Sequence, residues 1–189
     1  MTIPNMNLSE AKRESVEPGG YIVKVIGTNI DTQYNRLQLD VEIVEGKYKG
    51  YFTRLQERAN FWGLTANLYM NKEDAWKFAN AVDAFRKSNA DFEWEDDGEN
   101  DERKMVGMIV GAITQKRHYI GNDGVKKSKL LVNRLVPVEE IRSGDFEIPE
   151  DLFSDDYPKP QQAPTGKVVD TTAEPPEGFS EVKDEDMPF

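Results

Sequence analysis

The chain has 189 residues, a net charge of −11 at pH 7 and hydrophobic residues at 38% of its positions. It contains no cysteine, which excludes disulfide bonds and zinc sites built on thiolates. Its longest apolar run, over residues 105–114, is too short for the roughly 20 residues of a membrane-spanning helix, and no apolar segment near the N-terminus marks a secretory signal, so we expect a cytoplasmic protein.

Three strands are predicted first, after a loose, polar lead-in over residues 1–18. Residues 21–32 are apolar on both faces, which is typical of a long strand that is buried or bent around a small barrel. Residues 37–43 alternate strictly between apolar and polar side chains, which predicts a strand with one face in the core and the other in water. On this pattern Glu42 belongs to the water-facing side. A short third strand is predicted over residues 51–55.

A helix is predicted over residues 71–88. Phe78, Val82 and Phe85 follow one another at intervals of four and three residues, so they form one apolar face at the helical period. We assign Trp76 and Phe85 to the core on the basis of the same spacing. The helix should therefore cover an open end or side of the sheet.

A long β-hairpin follows, with strands over residues 105–119 and 125–136 that are joined by a Gly-Asn-Asp-Gly turn. The element order is then β-β-β-α-β-β, which is the order of the OB-fold, a five-stranded Greek-key barrel. We therefore predict a mainly β domain over residues 19–146. It is a five-stranded barrel like the OB-fold, with one helix between strands 3 and 4.

The acidic residues are concentrated in two segments. Residues 147–189 hold 12 acids, 3 bases and seven prolines, which predicts a disordered acidic tail, because this composition cannot bury enough apolar surface to fold. Residues 91–102 hold eight acids and no base, and the rest of the chain carries a net charge of +6. The folded body is therefore mildly basic, although the whole chain is acidic.

The last six residues combine three adjacent acids with an apolar residue, a proline and a terminal aromatic ring, and they suit a partner pocket with an apolar floor and a basic rim. These residues are Asp184, Glu185, Asp186, Met187, Pro188 and Phe189. This tip resembles the acidic C-terminal tip of bacterial and bacteriophage single-stranded DNA-binding proteins, which is a run of acids, a bulky aliphatic residue, proline and phenylalanine. Here Met187 takes the aliphatic place and Glu185 replaces an aspartate.

The resemblance implies a protein that coats single-stranded DNA in bacteriophage replication or recombination, in the cytoplasm of the host. It also implies that the tip recruits replication, recombination and repair proteins. The body more closely resembles the divergent bacteriophage versions of this family than the cellular bacterial protein, so we transfer no DNA contact from the family by position. The oligomeric state stays open, with a homo-oligomer among the options.

Candidate DNA contacts follow instead from chemistry, because single strands bind by stacking bases on aromatic rings and by pairing phosphates with lysine or arginine. In an OB-fold these groups lie on strands 2 and 3 and on the loops that join strands 1 to 2 and 4 to 5. The aromatic and basic residues of the corresponding segments are Tyr34, Arg36, Lys47, Tyr48, Lys49, Tyr51, Arg54, Lys116, Arg117, Tyr119, Lys126, Lys127, Lys129 and Arg134. Core packing is the rival role for Tyr48, Tyr51 and Tyr119, and solubility is the rival role for the hairpin lysines.

Two other functions remain open. An acidic interaction protein, such as a DNA mimic or inhibitor that binds no DNA, would fit the overall charge. A metal-dependent nuclease would use the carboxylates of residues 91–102, but a two-metal site needs carboxylates on rigid elements. His118 is the only histidine, and the sequence contains no phosphate-binding glycine loop. We therefore predict a binding protein that is not an enzyme and uses no metal or cofactor.

Overall fold

The computed structural model of the chain describes residues 15–157. Predictions that fall on residues 1–14 or 158–189, including the tip and most of the tail, lie outside this part. A single turn of 3-10 helix (Glu102–Met105) precedes the fourth strand, and no helix in the described part is long and apolar enough to cross a membrane. The remaining elements are, in chain order, β1 (Gly20–Asp31), β2 (Arg36–Ile43), α1 (Tyr51–Ala59), β3 (Thr65–Tyr69), α2 (Ala75–Ser88), β4 (Ile109–Ile120), β5 (Lys126–Val136), α3 (Val138–Ser143) and β6 (Leu152–Phe153).

The six strands form one mixed sheet. Five of them are hydrogen-bonded in the order β3-β2-β1-β4-β5, and each neighbouring pair is antiparallel. β6 adds a parallel pairing to β4, opposite Arg117 and His118. The prediction of a mainly β fold is confirmed. The predicted closure into a five-stranded barrel is not observed, because the hydrogen-bonded path ends at β3 on one side and at β5 on the other.

The prediction of a strand over residues 51–55 was wrong, because these residues begin α1. Gly50 precedes the helix with a φ of 69°, a left-handed conformation that glycine adopts without steric cost. The third strand is instead β3, and the helix predicted between strands 3 and 4 is α2. This helix begins at Ala75, later than predicted, because a separate turn precedes it. In that turn Asn71 Oδ1 accepts a hydrogen bond from the Asp74 N–H (2.7 Å).

Glu42 is buried, with only 6% of its surface exposed, although the alternation of β2 predicted that it faces water. Its carboxylate accepts hydrogen bonds from the backbone N–H groups of Phe52 (3.2 Å) and Thr53 (2.5 Å) and from the Thr53 hydroxyl (2.6 Å). These N–H groups belong to the first turn of α1, where no helix carbonyl is available to accept them. A negative charge there also stabilises the positive end of the helix dipole. Glu42 therefore anchors the start of α1 to β2.

The core lies between the inner sides of the strands and helix α2. Val25, Leu39 and Phe85 are completely buried, as the sequence pattern predicted. Trp76 is 61% exposed, so its assignment to the core was wrong. It comes two residues before Phe78, which is more than half a turn around the helix, so the two rings lie on opposite sides of α2.

The described part of the predicted tail, residues 147–157, lies against β4 and contains β6. The Gln115 side chain donates a hydrogen bond to the Glu150 carbonyl (2.5 Å), and the Ser154 N–H donates one to the His118 carbonyl (2.9 Å). The chain therefore continues to contact β4 beyond residue 146, the end of the predicted domain. A two-residue strand has no hydrophobic period, so the sequence pattern could not reveal it.

Candidate functional site

The hairpin of β4 and β5 carries half of the predicted DNA contacts, and its register sorts them onto two faces. Arg117 pairs with Lys129 across the strands, and Tyr119 pairs with Lys127. Cross-strand partners share a face, and side chains alternate along each strand. These four residues therefore form one face of the hairpin, which we call the outer face.

The outer face is a basic surface with one aromatic ring. Lys129 Nζ lies 6.0 Å from the centre of the Tyr119 ring, which is within the range of a cation–π contact. Lys127 forms a hydrogen-bonded ion pair with Asp123 (2.7 Å), which lowers the pKa of the Asp123 carboxyl and raises the pKa of Lys127. Arg117 is exposed. The outer face therefore offers cations for phosphates and a ring for one base.

The inner face of the hairpin reaches the tyrosines that lie near the β2–α1 connection. It includes Lys116, because the cross-strand partner of that residue, Leu130, packs against the core. Lys116 Nζ pairs with the Glu17 carboxylate (3.0 Å), and the Tyr21 hydroxyl donates a hydrogen bond to the Glu17 carbonyl (2.6 Å). The Tyr21 and Tyr48 rings are 6.0 Å apart and meet edge to face. Glu17 and Tyr21 thus connect two predicted segments that are distant in the sequence.

Tyr21, Tyr48 and Tyr51 form a continuous group, which we call the tyrosine row. The Tyr48 and Tyr51 rings are 6.3 Å apart, again edge to face, and Lys47 Nζ lies 4.9 Å from the centre of the Tyr48 ring. All three tyrosines are half-buried and pack against the core, so part of each side chain remains accessible. Burial, with smaller effects of Tyr48 and Glu17, raises the pKa of Tyr21 to about 12, so its hydroxyl remains a donor at neutral pH. Tyr21 was not among the predicted contacts, because it reads as part of the apolar β1 pattern.

A second group of rings lies farther along the inner face, where β6 meets β4. His118 stacks on Phe153, with the ring centres 4.8 Å apart and the planes 13° apart. The centre of the Tyr157 ring lies 5.5 Å from that of His118 and 5.6 Å from that of Phe153. Lys126 Nζ is 5.6 Å from the centre of the Tyr157 ring. His118 Nε2 is 2.7 Å from the Asp151 carboxylate. We did not predict Phe153 or Tyr157 as contacts, because both lie in a segment with the composition of the tail.

Tyr34 and Arg36 lie away from the hairpin, at the other end of β1. Arg36 pairs with Asp31 (2.8 Å), the last residue of β1, and its guanidinium carbon is 4.9 Å from the centre of the Tyr34 ring. The hydrogen bonds between Arg36 and Asp31 lower the pKa of the carboxyl and raise the pKa of the guanidinium. Because β4 pairs with β1 only over residues 20–24, the β1–β2 turn does not join the hairpin surface.

Three other predicted contacts lie outside these groups. Arg54, on α1, donates a hydrogen bond to the Lys49 carbonyl (2.9 Å), so these two exposed bases lie together just after Tyr48 and Tyr51 in the chain. Arg134 lies 4.0 Å from Glu140, near the C-terminal end of β5. The structure therefore brings the hairpin and the β2–α1 connection together but leaves the β1–β2 turn and Arg134 apart.

The acidic segment 91–102 pairs with bases rather than gathering its carboxylates. Asp96 pairs with Arg86 (2.7 Å), and Asp101 pairs with Arg103 (2.6 Å). Hydrogen bonding to Arg103 lowers the pKa of Asp101 to about 2. Over the described part of the chain, no cluster of three or more histidine, aspartate or glutamate side chains is placed to hold a metal ion.

With these features, the chain is a mainly β protein whose hairpin is basic and carries aromatic rings. A family model described as "Protein of unknown function (DUF669)" matches residues 2–129, which is more than half of the chain. The chain therefore belongs to the DUF669 family. The matched range includes β1 to β4 and the start of β5, and it leaves out β6. A comparison with curated proteins finds no match.

Proposed function

We propose that this protein binds single-stranded DNA, coats it during bacteriophage replication or recombination, and catalyses no reaction. One observation carries the proposal: contacts through Glu17 and Tyr21 join Lys116 of the hairpin to the tyrosine row. Two segments that are distant in the sequence thus present lysines and partly accessible rings on one surface. Binding of single strands without sequence preference depends on this combination of cations and stacking rings.

The two groups of side chains have different roles in this proposal. The rings of the tyrosine row offer surfaces on which bases stack. Lys47, beside the middle ring, and Lys116, at the Tyr21 end, neutralise phosphates. Arg117 and Lys129 add cations on the outer face, which is the side of the hairpin opposite to Lys116. The affinity of such a surface falls as salt rises, because binding releases the counterions of the phosphates.

We also propose that the domain is an open form of the OB-fold. The strand order β3-β2-β1-β4-β5 and a helix between β3 and β4 fit that fold. β3 and β5 both line one cavity of about 630 Å³, which occupies the gap where a barrel would close. In OB-folds, the face of strands 2 and 3 and the hairpin of strands 4 and 5 bind nucleic acids.

In the same proposal, the tip, residues 184–189, recruits replication, recombination and repair proteins to the coated strand. Its support is chemical: the three acids suit a basic rim, and Phe189 suits an apolar pocket floor. A peptide of these six residues should therefore compete with the whole protein for such a partner.

A titration separates the proposed function from its two rivals. Oligo-dT and duplex DNA are added at low and high salt, with Mg²⁺ present or chelated, and binding is followed by tryptophan fluorescence. Binding that prefers single strands and weakens with salt, without cleavage, supports the proposal. Absence of binding to either DNA would favour an acidic interaction protein, and Mg²⁺-dependent cleavage would favour a nuclease.

Tyr48→Ala is expected to weaken binding to oligo-dT by about 1–3 kcal/mol, which is the contribution of one base stacked on an aromatic ring. Tyr48→Phe is the matched control, because it keeps the ring and should bind like the wild type. Fluorescence anisotropy with labelled oligo-dT measures the affinities, and thermal unfolding shows that the alanine variant is folded. A folded Tyr48→Ala variant with wild-type affinity would leave Tyr48 with a role in core packing alone.

Removal of residues 158–189 is expected to raise the affinity for oligo-dT at low salt. This segment carries seven acids and three bases, so in the absence of DNA its net charge favours competition for the basic hairpin. High salt should reduce the difference, because it screens the attraction. The cut leaves β6 in place, so it tests the charge of the tail and not the stability of the hairpin. Equal affinities of the whole and shortened chains at low salt would contradict the competition.

A further inference from the structure

Three aromatic side chains are exposed at the end of the sheet far from the turn that joins β4 to β5. Trp76 is 61% exposed, Tyr34 is 58% exposed and Tyr69 is 40% exposed. We call these three residues, with Met70, the distal patch. Trp76 is more exposed than any other large apolar side chain in the described part of the chain. Exposed aromatic residues that lie close together, rather than singly, are typical of binding surfaces.

Contacts between the β1–β2 turn and the end of β3 hold the distal patch together. Arg36 pairs with Tyr69 across β2 and β3. The Met70 N–H donates a hydrogen bond to the Asn35 carbonyl (2.8 Å), and the Asn35 side chain donates one to the Met70 carbonyl (3.1 Å). Since the Arg36 guanidinium also contacts the Tyr34 ring, the two tyrosines and their cation form one fixed surface.

The patch continues into the cavity between β3 and β5. Tyr69 and Trp76 both line this cavity, whose volume is about 630 Å³, within the range of small-ligand sites. Lys77 Nζ lies 5.5 Å from the centre of the Trp76 ring, so a cation accompanies this ring as well. Asn67 and Asn80 add amide groups to the cavity wall. The wall thus combines rings and amides with cations, and it also holds the carboxylates of Asp83 and Glu140, which pair with Lys87 and Arg134.

A row of amides leads to the cavity along the outer side of the sheet. The Asn29 side chain donates a hydrogen bond to Gln38 Oε1 (3.0 Å), and the Gln38 side chain donates one to Asn67 Oδ1 (3.2 Å). These three residues lie on β1, β2 and β3 and pair across the strands. Amide groups both donate and accept, so they match the mixed donors and acceptors of nucleobase edges.

We infer that the distal patch and the adjoining cavity form a second contact site for single-stranded DNA. Trp76 and Tyr69 stack on bases, and Arg36 and Lys77 pair with phosphates. Lys77 pairs with Asp74 at the surface, and such a pair is weak enough for a phosphate to replace the carboxylate. Arg36 and Asp31 are partly buried, so a phosphate would approach Arg36 with its pair to Asp31 in place. The inference rests on the proposed function and adds a place where the bound strand continues after it leaves the hairpin.

Binding at both places requires the strand to cross the sheet. The tyrosine row lies near the start of β1, whereas the β1–β2 turn lies at its end, 12 residues later. At about 3.3 Å per residue, β1 spans up to about 40 Å, and bound DNA has to cover this distance. A long oligonucleotide should therefore gain more from the distal patch than one that fills only the hairpin surface.

Trp76→Ala and Tyr69→Ala test the inference, with Phe61→Ala as the control. Phe61 is 55% exposed and lies in the α1–β3 connection, outside the distal patch. With a long oligo-dT and the full chain, we expect each patch variant to bind about tenfold more weakly and the control to bind like the wild type, as measured by anisotropy. Trp76→Phe keeps a ring and should keep most of the affinity, while it removes most of the quenching of tryptophan emission on binding.

The outcomes distinguish this inference from the proposed function. Wild-type affinity in both patch variants, alongside weakened binding when Arg117 and Lys129 of the hairpin are replaced by alanine, would overturn the second site and leave the function standing. Wild-type protein that binds no single-stranded DNA would overturn both. A patch variant that loses self-association or binding to another protein, with unchanged DNA affinity, would assign the distal patch to protein contacts and overturn the inference. Because Trp76 and Tyr69 are exposed, their variants should show wild-type thermal unfolding.

Discussion

Replacing Arg117 and Lys129 together by alanine is expected to lower the affinity for oligo-dT about 25-fold at about 0.1 M salt. The two residues face each other across the hairpin, and no ion pair engages either one in the described part of the chain. Each phosphate contact on a single strand contributes about 0.7 to the slope of log affinity against log salt, so the variant should lose about 1.4 from that slope. Affinities measured by anisotropy over a series of salt concentrations give both numbers.

The matched control replaces Lys24 and Lys104 by alanine. Both are exposed bases outside the hairpin, so the change in net charge is the same. We expect this control to keep nearly all of the affinity and the salt slope of the wild type. If both double variants lost affinity equally, the effect would come from net charge, and the outer face would have no special role in binding.

Glu42→Ala is expected to lower the free energy of unfolding by about 3 kcal/mol. The substitution removes a buried carboxylate that accepts three hydrogen bonds from Phe52 and Thr53, and it leaves the first amides of α1 without a partner. Glu42→Gln keeps an acceptor oxygen but loses the charge, so it should cost less. Urea unfolding followed by tryptophan fluorescence measures the change, as a shift of the midpoint at constant slope.

Glu45→Ala is the control for this experiment. Glu45 follows β2 closely, but it is exposed and pairs with Arg142 at the surface (3.1 Å), and such pairs contribute about 0–1 kcal/mol. A Glu42→Ala variant as stable as Glu45→Ala would show that α1 does not depend on its anchor. Because α1 begins at Tyr51, a displaced helix should also disturb the tyrosine row.

The sequence patterns that predicted the fold correctly are those that depend on local periodicity. Strict alternation located β2, and the spacing of Phe78, Val82 and Phe85 located α2. The patterns failed where a distant contact decides the local structure. α1 depends on the carboxylate of Glu42, which comes from another element, and β6 depends on the free edge of β4. In both cases the stabilising partner lies outside the segment, so the sequence of α1 or β6 alone does not indicate it.

The candidate site was predictable in its chemistry but not in its assembly. Lysine and tyrosine in the hairpin and in the β2–α1 connection were identified from residue type. The connection between them was not, because it runs through Glu17 and Tyr21, and neither carries a binding signal in the sequence. For Trp76 the error is the opposite one: the sequence pattern placed it in the core, but it lies at the surface. A tryptophan close to an apolar stripe suggests the core, and only its angle around α2 places it at the surface.

β6 also affects how neighbouring molecules would behave on a crowded strand. β5 pairs with one edge of β4 along most of its length, and β1 covers the other edge only as far as Ile113. Beyond that point β6 covers Arg117 and His118, and the Asp151 carboxylate lies beside His118. An uncovered edge of a strand is a template for pairing with another chain, and negative charge beside it opposes that pairing. Under the proposed function, proteins packed side by side on DNA would therefore remain separable, and each could leave without pulling its neighbour from the DNA.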